Sequence, residues 1–121
     1  MLRGPTEPGP APLLSPGERA VGQLVLKHEG REERLHVGTE ALERGVILGR
    51  YARCVGGVSS MSESVSRVHA VLIAVDGEVH LLDAGSTNGV FIGEKEVKCA
   101  PAERGVTYSL GDMTAQWEPA R

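Results

Sequence analysis

Cysteine is nearly absent from this chain. Cys54 and Cys99 stand 45 positions apart and form no CxxC pair, which argues against a zinc ribbon or a dithiol redox centre. Two free thiols in a reducing compartment is the simplest reading, with a disulfide as the alternative. Long apolar runs are missing as well. None approaches the ~18–20 residues that cross a bilayer, and Met1-Leu2-Arg3-Gly4-Pro5 lacks the apolar stretch of a signal peptide. A cytoplasmic protein without membrane insertion is expected. A basic excess is missing too: 13 Lys and Arg stand against 16 Asp and Glu, for a net charge of −3. Duplex nucleic-acid binders carry a basic surface, so no nucleic-acid partner is expected. Aromatics are few, with one Phe, one Trp and two Tyr.

What is present describes a small globular chain. Its 121 residues allow one domain, and 40% hydrophobic with 24% charged residues is an ordinary globular balance. Glycine numbers 16 and valine 14, a combination that suggests short strands joined by tight turns. Five of the seven prolines (Pro5, Pro8, Pro10, Pro12 and Pro16) fall before residue 21. Residues 1–20 therefore read as a flexible Pro/Gly-rich arm, and 21–118 as the folded domain.

From Val21 onward short apolar runs alternate with turn residues. Gln23–His28 and Arg34–Val37 read as partner strands around a turn at Glu29-Gly30-Arg31-Glu32. Val46–Leu48 is a third run, and Glu40–Arg44 is the one helical turn. Cys54–Ser64 reads as a Gly- and Ser-rich loop. Val68–Val75 is apolar on both faces, which predicts deep burial. Further strands are expected at Glu78–Leu82, Val90–Ile92, Glu96–Lys98, Thr107–Leu110 and Thr114–Trp117. The pattern predicts an all-β antiparallel sandwich or barrel.

One turn carries geometric information. Asp76-Gly77 between two apolar runs signals a two-residue hairpin, because a type I′ turn needs positive φ at both positions. Val75 then pairs with Glu78, and the register carried back sets His69 opposite Ala84 and Ser66 opposite Thr87. Ser66-Arg67-Val68-His69 and Gly85-Ser86-Thr87-Asn88-Gly89 thus meet at one end of the hairpin, roughly 30 Å from the turn at ~3.3 Å per residue. That end offers the hydroxyls of Ser66, Ser86 and Thr87, the amide of Asn88 and the guanidinium of Arg67. Gly49-Arg50 ends another strand and supplies a second guanidinium. Such a donor-rich, locally cationic set suits an anion with several acceptor oxygens, and a phosphate ester fits.

These motifs resemble a forkhead-associated (FHA) domain: Gly49-Arg50, then Ser66-Arg67-Val68-His69-Ala70, then Gly85-Ser86-Thr87-Asn88-Gly89. Each piece is weak alone, and the three in order are strong. Val90–Val97 and Gly105–Gly111 resemble later segments of the family, so the likeness runs from about Val21 to Glu118. The resemblance implies a sandwich of about eleven short strands that binds phosphothreonine peptides with loops at one end and has no catalytic activity or cofactor. It implies that Arg50 contacts the phosphate and its loop, that Ser66 donates its hydroxyl to the phosphate, and that Arg67 adds charge. Thr87 contributes at the phosphate and Asn88 bonds the peptide backbone. Gly49, Gly85, Ser86 and Gly89 support the binding loops, and His69 braces them without touching ligand. A small pocket for the γ-methyl group selects threonine over serine. The implied partner is a phosphothreonine protein, a Ser/Thr kinase or its substrate. Three positions depart from the family pattern: Val90, Val106 and Ser64. Ser64 stands where some members carry a basic residue that selects the third residue after the phosphothreonine.

Other readings compete. A scaffold of the same fold would bind an unphosphorylated protein. A serine hydrolase would use Ser66, His69 and Asp83, but a G-x-S-x-G elbow is absent and Ser66 and His69 would face opposite ways on one strand. A cyclic-dinucleotide binder would use Arg50 and Arg53, without a suitable companion motif at Asp83-Ala84-Gly85. His28, His36 and His80 lack metal-ligand spacing, so no metal is expected.

Overall fold

The computed structural model describes residues 12–50, 54 and 64–120. The expected Cys54–Ser64 loop, apart from its two end residues, lies outside them, as do Arg53 and residues 1–11 of the arm. Ten strands and one short helix are described: β1 Gly22–His28, β2 Arg31–Val37, α1 Thr39–Arg44, β3 Val46–Leu48, β4 Ala70–Val75, β5 Glu78–Asp83, β6 Val90–Ile92, β7 Lys95–Val97, β8 Cys99–Pro101, β9 Thr107–Leu110 and β10 Met113–Pro119. They form two antiparallel sheets, one ordered β2-β1-β10-β9-β6-β7 and the other β3-β4-β5-β8. The expected β-sandwich is what is found. None of the described helices is long and apolar enough to cross a membrane.

Alternation builds the core. Leu24, Leu26, Tyr108, Leu110, Met113, Ala115 and Trp117 point inward from the six-stranded sheet. Val46, Leu48, Ala70, Leu72, Leu81 and Ala100 meet them from the four-stranded sheet. Burying one such aliphatic side chain contributes about 1.5–3 kcal/mol. Tyr108 also ties the sheets by hydrogen bonding, since its hydroxyl donates to the Pro101 carbonyl at 2.5 Å.

The hairpins set the registers. Asp76 and Gly77 have φ of 52° and 80°, as the type I′ reading requires. Val75 pairs with Glu78 and Ala70 with Asp83. The register continues past the strand ends, where the Ala84 N–H donates to the His69 carbonyl at 3.0 Å. The β1–β2 turn is shorter than the sequence suggests. Glu29 and Gly30 alone form it, with φ of 49° and 76°, and Arg31 already pairs with His28.

Two further expectations need correction. Val68–Val75 is not deeply buried on both faces. The strand starts at Ala70; Ala70 and Leu72 are buried, whereas Val68 is 41% and Val75 51% exposed. An antiparallel sheet in a two-layer sandwich covers one face only, so an apolar run marks a strand without proving two buried faces. The second correction concerns β8. Glu96–Lys98 was expected as the strand of this stretch, but β7 pairs with β6 and ends at Val97, and the chain then crosses at Lys98 to pair Cys99–Pro101 with β5 in the other sheet. Pro101 sits there on an edge strand, where a missing N–H is tolerated.

Residues 12–20, assigned to the arm, run beside α1. Leu13 packs against the core, its carbonyl accepts the Gly38 N–H at 2.8 Å, and Arg44 donates to the Pro12 carbonyl at 2.7 Å.

The face assignment of β4 gives a contrast in stability. Leu72→Ala is expected to cost about 2–5 kcal/mol through lost burial and a cavity, and Val75→Ala about 0.5 kcal/mol or less. Urea unfolding of the two variants checks this, and equal losses would contradict the register.

Candidate functional site

The loops that leave β3, enter β4 and leave β5 converge at one end of the sandwich. Val65 anchors the middle loop, with its side chain fully buried in the core. Gly49 lies so close to this loop that a Cβ there would stand 2.2 Å from the Arg67 carbonyl oxygen. That contact excludes every larger residue from position 49 and brings Arg50 alongside Ser66. The Arg50 N–H donates to the Ser66 carbonyl at 3.2 Å. Its Nε donates to the Val65 carbonyl at 2.7 Å, which fixes the plane of the guanidinium beside Ser66. The buried Cys54 thiol donates to the Arg67 carbonyl at 3.2 Å.

His69 joins this loop to the next. Its imidazole is fully buried. Nδ1 accepts the Ser66 N–H at 3.0 Å, so the ring proton belongs on Nε2, which faces the Gly89 carbonyl at 2.7 Å and donates to it. Both nitrogens are therefore engaged by backbone groups. The Ser66 hydroxyl instead accepts the Thr87 N–H at 3.0 Å, which leaves its own hydrogen to donate elsewhere. A Ser66–His69 nucleophile pair is incompatible with this arrangement, because no ring nitrogen remains to take the hydroxyl proton.

The turn after β5 is held from within. Asp83 Oδ1 accepts the Ser86 N–H at 2.8 Å, and the Ser86 hydroxyl accepts the Gly89 N–H at 2.9 Å. Gly89 has φ of 82°, a left-handed conformation that glycine adopts without strain. Thr87 and Asn88 are exposed at the tip. Asn88 Nδ2 donates to the Ser64 carbonyl at 2.9 Å, and the Ser64 hydroxyl accepts the Asp112 N–H at 2.9 Å.

The geometry thus brings together Arg50, Ser66, Thr87 and Asn88, with Arg67 exposed beside them and Gly49, His69, Ser86 and Gly89 beneath. Gly85, with φ of 79°, opens the turn. Sequence reasoning missed the structural part played by Ser64 and Asp83. Ser64 carries no local signal, because its partners lie 24 and 48 residues away. Asp83 carries one: an Asp whose carboxylate can accept backbone N–H groups just downstream is a common turn former. Burial opposes ionisation of Asp83, but the Ser86 amide and hydroxyl, with the Lys98 ammonium, outweigh it and hold the carboxyl below its ordinary 3.8. No cluster of His, Cys, Asp and Glu that could hold a metal occurs among the described residues.

Comparisons with known proteins place this arrangement. The family model described as the FHA domain matches residues 46–111, more than half of the chain. No curated protein matches. Among solved structures, the chain is similar to the FHA-1 domain of Rv1747 from Mycobacterium tuberculosis, with 24% identity and a TM-score of 0.63 over 84% of this chain and 100% of that one. It is similar to the FHA domain of FhaA, solved in complex with the intracellular domain of Rv3910, with 22% identity and a TM-score of 0.59 over 78% and 99%. It is also similar to Mycobacterium tuberculosis EmbR, solved with a low-affinity phosphopeptide, with 20% identity and a TM-score of 0.62 over 88% of this chain and 26% of that longer one.

Two stability measurements probe this end of the molecule. His69→Ala is expected to lose about 2–4 kcal/mol, from a cavity and two broken hydrogen bonds; an unchanged urea midpoint would refute the bracing role. For Asp83, a lowered folded-state pKa means its stabilisation is present above about pH 4 and lost as pH falls through the folded value. Asp83→Asn should therefore be less stable than wild type at neutral pH, with the gap closing as pH falls below the ordinary carboxylate range. A gap that stays constant across that range would contradict the ionised assignment.

Proposed function

The chain belongs to the FHA domain family, a family of protein-interaction modules, and on that premise we propose that it reads phosphothreonine in a partner protein. In this reading residues 21–118 form the binding module and residues 1–20 the Pro/Gly-rich arm that precedes it. The ligand is a phosphothreonine segment of a Ser/Thr kinase or of a kinase substrate. Complexes of FHA-containing relatives, EmbR with a phosphopeptide and FhaA with a protein domain, support a ligand of this type.

The observation that carries the proposal is the hydrogen bond from the Thr87 amide to the Ser66 hydroxyl at 3.0 Å. It uses the Ser66 oxygen as an acceptor and so leaves the hydroxyl hydrogen to donate to a ligand, next to a guanidinium already oriented by the Val65 carbonyl. A phosphate placed there accepts from the Ser66 hydroxyl, the Arg50 guanidinium and the Thr87 hydroxyl. Arg67 adds positive charge at the rim. The dianion is recognised by charge-assisted hydrogen bonds, which are short and strong. Asn88 keeps one face of its amide on the Ser64 carbonyl and its oxygen available to a peptide N–H. Arg50 and Arg67 supply the positive charge at these loops in a chain of net charge −3, so attraction is local and is weakened by added salt.

Fluorescence anisotropy with a degenerate phosphothreonine peptide library tests this, with threonine and phosphoserine versions of the same peptides as controls. Saturable binding confined to phosphothreonine is the expected result. Arg50→Ala and Ser66→Ala should each weaken it by ~1.5–3 kcal/mol, the scale of a hydrogen bond to a charged group, or roughly 10- to 100-fold. Affinity unchanged in both variants would overturn the site. No phosphate-dependent binding by the folded protein would transfer the reading to a scaffold for an unmodified partner.

A further inference from the structure

We propose that Lys98, acting through the buried carboxylate of Asp83, sets the shape of the Ser86–Gly89 turn and so positions Thr87 and Asn88 before any ligand arrives. The functional part rests on the phosphothreonine reading; the structural part stands apart from it.

Asp83 is the last residue of β5 and its side chain is only 1% exposed. Oδ1 is occupied by the Ser86 amide. Oδ2 is buried and has no hydrogen-bond partner among the described residues. It faces Lys98 Nζ at 3.6 Å, too far for a hydrogen bond but close enough for charge to act. A buried carboxylate with one oxygen unsatisfied depends on a neighbouring cation, because the isolated ion is strongly disfavoured out of water.

Lys98 is placed for that task by the fold. It is the crossing residue between β7 and β8, and its carbonyl accepts the Asp83 N–H at 2.9 Å. Its ammonium also lies 3.2 Å from Glu96 Oε2. Glu96 in turn covers Gly89, where a Cβ would come within 2.7 Å of the same Oε2. The turn is therefore bracketed. Asp83 holds its Ser86 end, Glu96 packs on its Gly89 end, and one lysine is shared between the two carboxylates. Lys98 is itself 78% exposed, and ion pairs between two exposed groups contribute little. This pair differs because its acidic partner is buried. With the ammonium removed, Asp83 is drawn toward water and its hold on the Ser86 amide weakens.

A double-mutant cycle tests the pair, with the full chain and the phosphothreonine peptide library as probe. Lys98→Met is made in the wild-type and in the Asp83→Asn background; Lys98 is exposed, so folding is preserved. Expected is a loss of affinity of about three- to tenfold in wild type, the scale of coupled contacting residues, and no further loss on Asp83→Asn. Amide hydrogen exchange of Ser86 and Gly89 in the free protein provides a readout without ligand. It should quicken on Lys98→Met in wild type only. Equal losses in both backgrounds, or unchanged exchange at Ser86, would overturn the pair. If no phosphopeptide binds even wild type while Ser86 exchange responds as expected, the phosphothreonine reading fails and the positioning pair stands.

Discussion

The imidazole of His69 is the brace on which this end of the molecule depends. It lies wholly out of water, accepts an N–H from Ser66 on one side and donates to the Gly89 carbonyl on the other. A neutral imidazole carries a donor and an acceptor at opposite positions of one rigid ring. It can therefore hold two backbone segments at a set separation. Those segments are the approach to β4 and the exit of the turn after β5, and they carry Ser66 and Thr87. Remove the ring and the described direct links between the loop tips are the hydrogen bonds from the Thr87 amide to the Ser66 hydroxyl and from the Asn88 side-chain amide to the Ser64 carbonyl. The buried polar groups it leaves behind would then need water.

Around that brace the polar groups are arranged in two tiers. Backbone carbonyls of Ser64, Val65, Ser66 and Arg67 turn inward and fix Asn88, Arg50 and the Cys54 thiol. Side chains that face outward retain hydrogens to donate. The loops are thus stiffened by their own backbone, which lowers the ordering cost of meeting a ligand. The sheet crossing at Lys98 contributes from the far side, since it brings a β7–β8 residue under a turn that belongs to β5 and β6.

Local signals in the sequence were sufficient where chemistry and conformation coincide. Asp76-Gly77 required positive φ at both residues, and the register it imposed brought Ser66 to Thr87 as expected. Gly49 was expected to permit a turn; its reason proved to be the close approach of the Arg67 carbonyl. Where two outcomes share one pattern the sequence misled. An apolar run at Val68–Val75 looks the same whether one or both faces are covered. Cys99–Pro101 has too few residues to show alternation, so its transfer to the other sheet left no periodic trace. Ser64 was read only for a specificity role, and its two contacts to Asn88 and Asp112 depend on loops brought together from distant parts of the chain.

Strand order of polarity, turn type and the identity of the donor groups were determined by the sequence alone, because each follows from neighbours within a few residues: φ preferences at Asp76-Gly77, alternation along Thr114–Trp117, hydroxyls and amide in Gly85–Gly89. The tertiary structure decided which donors face outward and which are consumed inside. Nothing local makes the Ser66 amide a partner of His69 and its hydroxyl a partner of Thr87, or leaves Asp83 buried against an exposed lysine fifteen residues later. Those assignments arise when two sheets close on one core and exclude water from some of the polar groups at their rim. Each excluded group must then find a partner within reach.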